Sequence, residues 1–495
     1  MIAHLPARRR SDRDRIFPIG PAHWVLERLE PRTFLSATPE QLVAQANNEF
    51  AFDMYQELKQ TDPGNIFFSP YSIATALEMT LQGAKGQTAD QIIQALHLPS
   101  SDLAQAGISA LYQLFQANPS TAGYTLSTAN RLWVDDNFPL LQSFLTSEQT
   151  EFGAEPQSVN FADPTTAANT INTWVSDQTH GKIKNLINAG MLNQYTALVI
   201  TNAIYFKGSW QSAFNADLTQ AASFNEGSGQ SETVQMMEQT NDFGYYSQSG
   251  PNGFQALDLP YQGNELDMLV ILPTSDDIDS FDSNLTPAMF DQITNNLSST
   301  NVDVDLPKFT LSETYNLVNP LEDLGITTAF GPGADFSGIS PDPLNISFVV
   351  HKTFINVDET GTEAAAVTGI GMVTIGVAVV QAPPIAFDAN HPFIIAIRDR
   401  STNTILFLGR VTDPGDDTSA DSMPPASDPG IPNGPPASPV AAVARFTPAS
   451  SLFAGSTPIS AAQGVLQANS ASTTGDNLLD AINGATHTAT DMILS

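Results

Sequence analysis

Glu359-Thr360-Gly361-Thr362-Glu363-Ala364-Ala365-Ala366-Val367-Thr368 is the stretch on which the reading of this chain turns. Small or β-branched residues recur at Thr362, Ala364, Ala366 and Thr368, and the alternation continues through Ile370 and Met372. Successive side chains of a strand point to opposite faces, so this spacing places all six on one face. Glu363 falls on the other. Gly369, Gly371 and later Gly376 interrupt the run, and glycine leaves a backbone free to adopt other conformations. A segment that fits a central strand but is poorly suited to hold that form alone reads as a switch. An ordinary half-buried strand of weak propensity is the competing reading.

The whole chain sets the bounds. Its 495 residues leave room for one large domain with extensions, or for two to three smaller ones. A formal charge of −33 argues against nucleic acid, polyanions or an anionic membrane surface as partners. Cysteine is absent, so stability has to come from core packing without disulfides, and thiol chemistry is excluded. No apolar run approaches the roughly 18 residues that span a bilayer, so no transmembrane segment is expected.

Composition divides the chain into zones. Residues 1–37 hold seven arginines against four acidic residues, in a chain that is otherwise strongly acidic. This zone closes on Leu29-Glu30-Pro31-Arg32-Thr33-Phe34-Leu35-Ser36, which resembles the L-E-P-R-x-L-L-S motif at the start of many bacterial surface and exported proteins. A standard secretory signal carries an unbroken apolar core, whereas Ile16-Phe17-Pro18-Ile19-Gly20-Pro21 is broken by prolines and a glycine. The zone is read as an export or sorting segment, with a disordered arm as the alternative. The body spans residues 38–414. It opens on Thr38-Pro39, a helix cap followed by proline at the first helical position. Apolar residues from Leu42 to Leu58 continue a helix to about Lys59, and helical patterns dominate to about residue 120. Strand-like runs follow at 198–205, 268–272, 302–305, 348–350, 393–397 and 405–408. Helices early and strands late indicate an α+β fold. Residues 415–445 are rich in Pro, Ser and Ala and read as a linker. Residues 446–495 read as a low-complexity, disordered tail with at most one short helix.

Enzyme chemistry finds little support. The sequence has no G-x-S-x-G elbow, no phosphate-binding G-x-x-x-x-G-K and no H-E-x-x-H. Its seven histidines are scattered, so neither a catalytic triad nor a metal site is expected, and no cofactor is implied.

The hinge-like stretch stands in a longer series of motifs. Asn65-Ile66-Phe67-Phe68-Ser69-Pro70-Tyr71-Ser72-Ile73 leads to Gly83-Ala84-Lys85-Gly86-Gln87-Thr88. Ile171-Asn172-Thr173-Trp174-Val175, Thr179-His180-Gly181-Lys182-Ile183 and Thr201-Asn202-Ala203-Ile204-Tyr205-Phe206-Lys207-Gly208-Ser209-Trp210 follow. Then come Met236-Met237, Leu259-Pro260-Tyr261, Leu306-Pro307-Lys308-Phe309, Ala334-Asp335-Phe336-Ser337-Gly338 and Val350-His351-Lys352. Asn390-His391-Pro392-Phe393 and Phe407-Leu408-Gly409-Arg410-Val411 complete the series. In this order the motifs resemble the serpin family from about residue 42 to 414. The resemblance implies helices packed around a large central mixed sheet, two further sheets and an exposed reactive-centre loop. It also implies a monomer whose C-terminal tail is an addition.

The same resemblance implies a function. Serpins are suicide substrates: a protease cuts the exposed loop, and the cut loop enters the main sheet as a new strand while the acyl-enzyme is trapped. Glu359, Gly361, Thr362, Ala364, Ala365, Ala366 and Thr368 match the hinge of that loop. None of the inward residues from Thr362 to Thr368 is bulky, charged or proline. Counted as the family is counted, the scissile bond joins Ile375 to Gly376; the loop is a few residues longer than in many serpins, so the cut is expected between Met372 and Val379. No Lys or Arg lies between Lys352 and Arg398, so an elastase-like or subtilisin-like serine protease is the expected target, with a cysteine protease as a further class. Ser69, Ser72, Asn202 and His351 match the shutter beneath the sheet. Lys308, Trp210 and Glu359 match the breach at its head. No Lys or Arg lies between Leu98 and Tyr124, where heparin-binding serpins carry basic residues, so heparin is not an expected partner. With the export-like segment, the expected location is extracellular or at the cell surface. A non-inhibitory serpin acting as carrier, storage protein or chaperone is the alternative.

Overall fold

The computed structural model describes residues 37–99, 101–116, 123–226, 230–362 and 382–415. All belong to the first of two units, Met1–Ser438; the second, Pro439–Ser495, lies outside them, as do the N-terminal segment to residue 36 and most of the linker.

The first helix, Pro39–Thr61, begins where Thr38 and Pro39 predict. The Gln41 side chain reaches back to accept the Thr38 backbone N–H at 3.1 Å, satisfying a donor that a helix start leaves open. Phe50, Met54 and Leu58 recur at helical spacing and are buried. The next helix, Pro70–Leu81, is buried along almost its whole length. Ser69 caps it, its Oγ accepting the Ser72 backbone N–H at 3.1 Å. Helices Gly86–Ala95 and Ser101–Gln116 complete the helical first part.

A six-stranded mixed sheet runs in the order Phe309–Asn316, Ile346–Asp358, Gly361–Thr362, Leu198–Ser209, Tyr124–Asp135, Gln157–Val159. Its two faces are covered differently. Leu198, Ile200, Ile204 and Phe206 point into the main core with the Pro70–Leu81 helix. Val199, Ala203, Phe348 and Val350 point outward and pack under the helix Pro164–Gln178 through Ile171 and Val175. Both faces of the central strands are therefore dry, which is why Leu198–Ser209 reads as a continuous apolar run.

The remaining strands form a second ladder of nine. The strand Ser231–Gln248 joins what the resemblance separates into two further sheets: residues 236–245 pair with Ser298–Pro307, and 244–248 pair with Phe254–Pro260. The architecture is the expected α+β arrangement, and every strand-like run named above lies within a strand. Two long strands went unread, Tyr124–Asp135 and Ser231–Gln248. Both are rich in Ser, Thr, Asn and Gln, so their alternation carries little hydrophobic contrast.

Candidate functional site at the head of the six-stranded sheet

The two central strands of the six-stranded sheet are zipped for most of their length and parted at one end. Ile346–Asp358 and Leu198–Ser209 pair directly and in parallel from Ile346↔Leu198 to Phe354↔Tyr205. Beyond that point Gly361–Thr362 stands between them, antiparallel to both, with Thr362 opposite Val357 and Gly208, and Gly361 opposite Asp358 and Ser209.

The chemistry of residues 358–362 fixes this wedge. Asp358 Oδ1 accepts from the Thr360 N–H at 2.8 Å and the Thr360 hydroxyl at 2.6 Å, closing the turn. The Trp210 backbone N–H donates to the Thr360 carbonyl at 3.0 Å, and the Trp210 indole N–H donates to the Asp358 carbonyl at 3.0 Å. Gly361 has φ +148°, and a Cβ there would collide with the Gly208 carbonyl oxygen, so glycine is required. Thr362 is fully buried, its hydroxyl 2.7 Å from that of Tyr261, whose ring stacks on Trp210 with centroids 4.7 Å apart.

Glu359 anchors the outer corner. Its carboxylate accepts from Lys308 Nζ at 2.9 Å and from the Thr219 hydroxyl at 2.7 Å, and its carbonyl accepts the Phe214 N–H at 2.8 Å. Burial pushes this carboxyl upward, but the hydrogen bonds from Lys308 and Thr219 outweigh it and hold the group below the usual carboxylate range. Lys308, Trp210 and Glu359, matched to the breach by sequence, are thus brought together.

Lower in the sheet a polar cluster lies in the core. The Ser69 backbone N–H donates to His351 Nε2 at 3.0 Å, so the ring's proton sits on Nδ1 and is donated to Asn202 Oδ1. Asn202 Nδ2 then donates to Ser72 Oγ at 2.8 Å and to Asn130 Oδ1 at 2.9 Å. The Ser69 hydroxyl donates to the Leu406 carbonyl at 2.6 Å. Burial lowers the His351 pKa to about 3, keeping the ring neutral. Ser69, Ser72, Asn202 and His351, assigned to the shutter by sequence, therefore meet in one connected network.

Sequence reasoning missed Asn130, Thr219 and any role for Tyr261. Asn130 was legible: Leu126, Asn130, Leu132 and Val134 share one parity of a strand, with the last two buried. Thr219 lies beside a short 3-10 turn and gives no such signal. Glu363, Ala364, Ala365, Ala366, Thr368, Ile375 and Gly376 lie outside the described residues. Among the described residues no group of three His, Asp or Glu is placed to hold a metal ion, and no helix is long and apolar enough to cross a membrane.

Comparison with known proteins gives this geometry a context. The family model described as Serpin (serine protease inhibitor) matches residues 45–414. A serpin-like protein of Thermococcus kodakarensis is 41% identical over 379 residues, covering 76% of this chain and 87% of the relative. The leukocyte elastase inhibitor of Sus scrofa is 41% identical over 392 residues, covering 76% of this chain and all of that protein. Among solved structures, Serpin48 of the insect Tenebrio molitor aligns with a TM-score of 0.67 at 32% identity, over 76% of this chain and 100% of that one. Human thyroxine-binding globulin complexed with thyroxine aligns with a TM-score of 0.70 at 30% identity, over 76% and 100%. With its sheet parted at one end and relatives matched along nearly their full length, the chain belongs to the serpin family.

Proposed function

We propose that this protein inhibits serine endopeptidases as a suicide substrate. The observation that carries the reading is the wedge: Gly361–Thr362 already occupies the head of a sheet whose central strands are otherwise zipped. In this reading the protease serine attacks the Ile375 carbonyl, the bond to Gly376 breaks, and Ile375 remains esterified to the enzyme. The segment from Glu363 onward then enters between the parted strands, gaining ladder hydrogen bonds on both sides. The residues that would face inward, Ala364, Ala366 and Thr368, are small enough to pass between packed strands, and a bulky or charged one would oppose entry.

Specificity follows from the loop composition. Ile375 and its neighbours are apolar or small, which fits the shallow apolar pocket of an elastase-like or subtilisin-like protease. The leukocyte elastase inhibitors among the relatives, 41% identical in Sus scrofa and Bos taurus, support that direction. We further infer that residues 38–414 form the inhibitory domain and act as a monomer. Residues 1–37 carry the export or sorting segment of a bacterial surface or secreted protein, 415–445 form a Pro/Ser/Ala-rich linker, and 446–495 form a low-complexity, disordered tail.

The test is to mix the full chain with pancreatic elastase and, separately, with subtilisin. A covalent band near the summed mass on a denaturing gel is the expected result, with the released C-terminal fragment beginning at Gly376. Complete cleavage without such a band would refute trapping and favour the carrier, storage or chaperone reading. Removing everything after Asp413 is expected to leave inhibition unchanged.

A further inference from the structure

The strand Ile385–Asp388 is four residues long and lies at one edge of the nine-stranded ladder. Its neighbour there is Ser298–Pro307, paired in parallel from Ile385↔Val302 to Asp388↔Asp305. Phe387 is fully buried behind it. A ladder this short, on an edge, needs further holds to stay down, and the chain supplies them within three residues. The Ala389 N–H donates to the Asp305 carbonyl at 2.9 Å, and the Asn390 carbonyl accepts the Asn225 N–H at 2.8 Å. The third hold is His391.

The His391 ring faces an acceptor on each side. Its Nε2 lies 2.7 Å from the Pro273 carbonyl oxygen, which can only accept, and its Nδ1 lies 3.0 Å from Asn390 Oδ1. Turning the Asn390 amide over would bring a donor to Nδ1. The amide nitrogen, however, already donates to Asp388 Oδ2 at 2.8 Å, and the turned amide would set oxygen against carboxylate. A neutral imidazole has one N–H, so both contacts are made only when the ring carries two protons. The Asp388 carboxylate attracts that charge.

Across the strand runs a row of carboxyls. Glu238 stands opposite Asp305, and Asp305 opposite Asp388, so the three lie side by side on the outward face of three adjacent strands. Asp303 follows two residues along on the same face, and its carboxylate accepts the Thr240 hydroxyl at 2.7 Å. Among the described residues no Lys or Arg is paired with Glu238, Asp305 or Asp388. Like charges directly opposite one another loosen a ladder. Partial burial, then Asp388, Glu238 and Asp303, push the Asp305 carboxyl up to about 6. Below that value the middle group of the row is neutral; above it, three charges repel.

We infer that the His391 corner and the Glu238–Asp305–Asp388 row form an acid-set clasp on Ile385–Asp388: protons on the ring and on the middle carboxyl hold the edge strand down, and their loss as pH rises frees it. The two parts act in the same direction. Deprotonating the ring removes one of its two hydrogen bonds and its attraction to Asp388. Deprotonating Asp305 adds repulsion on both of its sides. A carboxyl raised in the folded state contributes stability that is present at low pH and lost as pH rises, and so does an imidazolium that the fold favours. The share of Asp305 is lost between about 3.8 and about 6, and histidine ordinarily changes charge between about pH 5 and 8. The clasp is independent of the trapping reading, because it governs how firmly this strand is moored and not what a protease does.

The test is hydrogen exchange by mass spectrometry on the full chain from pH 4.5 to 8, corrected for the intrinsic rate, with peptides covering Ile385–Asp388 and Phe393–Asp399. Protection of Ile385–Asp388 is expected to fall at least about tenfold over this range while that of Phe393–Asp399 stays level. His391→Gln, which keeps a donor but no charge, is expected to lose about tenfold in protection at pH 4.5 and nothing at pH 8. Asp305→Asn, on the outward face where no repacking is needed, is expected to gain about threefold at pH 8 and nothing at pH 4.5. A level profile in the unsubstituted protein, or a fall shared equally by Phe393–Asp399, would overturn the clasp. An Asp305→Asn profile that keeps the whole fall would remove the carboxyl row from it, and a His391→Gln profile identical to that of the unsubstituted protein would remove the ring.

Discussion

His351 and Asn202 are register partners across the parallel pair Ile346–Asp358 and Leu198–Ser209, and their side chains are hydrogen-bonded through His351 Nδ1 and Asn202 Oδ1. A strand entering between these two would have to part them, so the bond helps hold the sheet shut. It also ties the shut form to pH. The ring is neutral when buried, with its pKa lowered to about 3, against about 6.5 in an unfolded chain. Between those values the unfolded chain binds the extra proton, so stability rises with pH and is lost as pH falls from about 6.5 toward about 3, at about 1.4 kcal/mol per pH unit. His351→Gln is expected to lower the thermal midpoint at pH 7, because the Ser69 N–H loses its acceptor at a cost of about 1–3 kcal/mol. The variant is also expected to lose part of the acid dependence between pH 6.5 and 4. Parallel curves for the two proteins would exclude His351 as the acid-sensitive group.

Two buried carboxyls act in the opposite sense. Burial pushes Glu78 up to about 8 and Glu148 up to about 9, and neither oxygen of Glu148 has a recorded hydrogen-bond partner among the described residues. For Glu78 the folded state keeps a proton that an unfolded chain releases near 4.5, so stability falls as pH rises from about 4.5 to about 8. Glu78→Gln is therefore expected to stabilise the protein at pH 7 by about 2–4 kcal/mol and to have little effect at pH 4. Thermal midpoints at both pH values decide it. A loss at pH 7 would mean that the carboxylic acid makes a contact that the amide cannot reproduce.

The hinge gives the sharpest functional expectation. Thr362 is fully buried beside Tyr261, so Thr362→Arg has to bury a guanidinium or withdraw the wedge. The expected product is a plain substrate: elastase or subtilisin cuts the loop, and the gel-stable complex falls at least about tenfold. Gly361→Ala is expected to act in the same direction, since φ +148° and the Gly208 carbonyl leave no space for a methyl group. Undiminished complex formation by either variant would remove the wedge from the mechanism.

Ile375→Arg is expected to confer trypsin inhibition on a loop that otherwise offers no basic residue between Lys352 and Arg398. The assay is residual trypsin activity with a gel for the complex. Trypsin cleavage at the substituted position without a trapped complex would move the reactive bond away from Ile375.

The legibility of this chain divides along a physical line. Strands buried on both faces, such as Leu266–Pro273 and Ile405–Val411, announce themselves as apolar runs, and Thr38-Pro39 marks a helix start to the residue. The cluster of Ser69, Ser72, Asn202 and His351 came only from resemblance to a family, because no local pattern tells a buried serine from an exposed one. Strand parity marks Asn130 as inward-facing, but nothing local says that it completes this cluster, on a strand (Tyr124–Asp135) that the sequence reading left unassigned. Tyr261 is similar: its place in a Leu-Pro-Tyr motif is plain, but its contact with Thr362 depends on two sheets meeting, over a sequence separation of 101. Long-range partners are where sequence patterns stop.

The stack of Trp210 on Tyr261 has a practical consequence. The indole N–H is bonded to the carbonyl of Asp358, its ring lies flat on Tyr261, and the Tyr261 hydroxyl holds Thr362. The Asp358 carbonyl and Tyr261, with Thr362 bonded to it, are thus gathered around one of the chain's four tryptophans. Stopped-flow emission, compared with that of Trp210→Phe, can therefore report without a dye whether this corner changes when a protease cuts the loop.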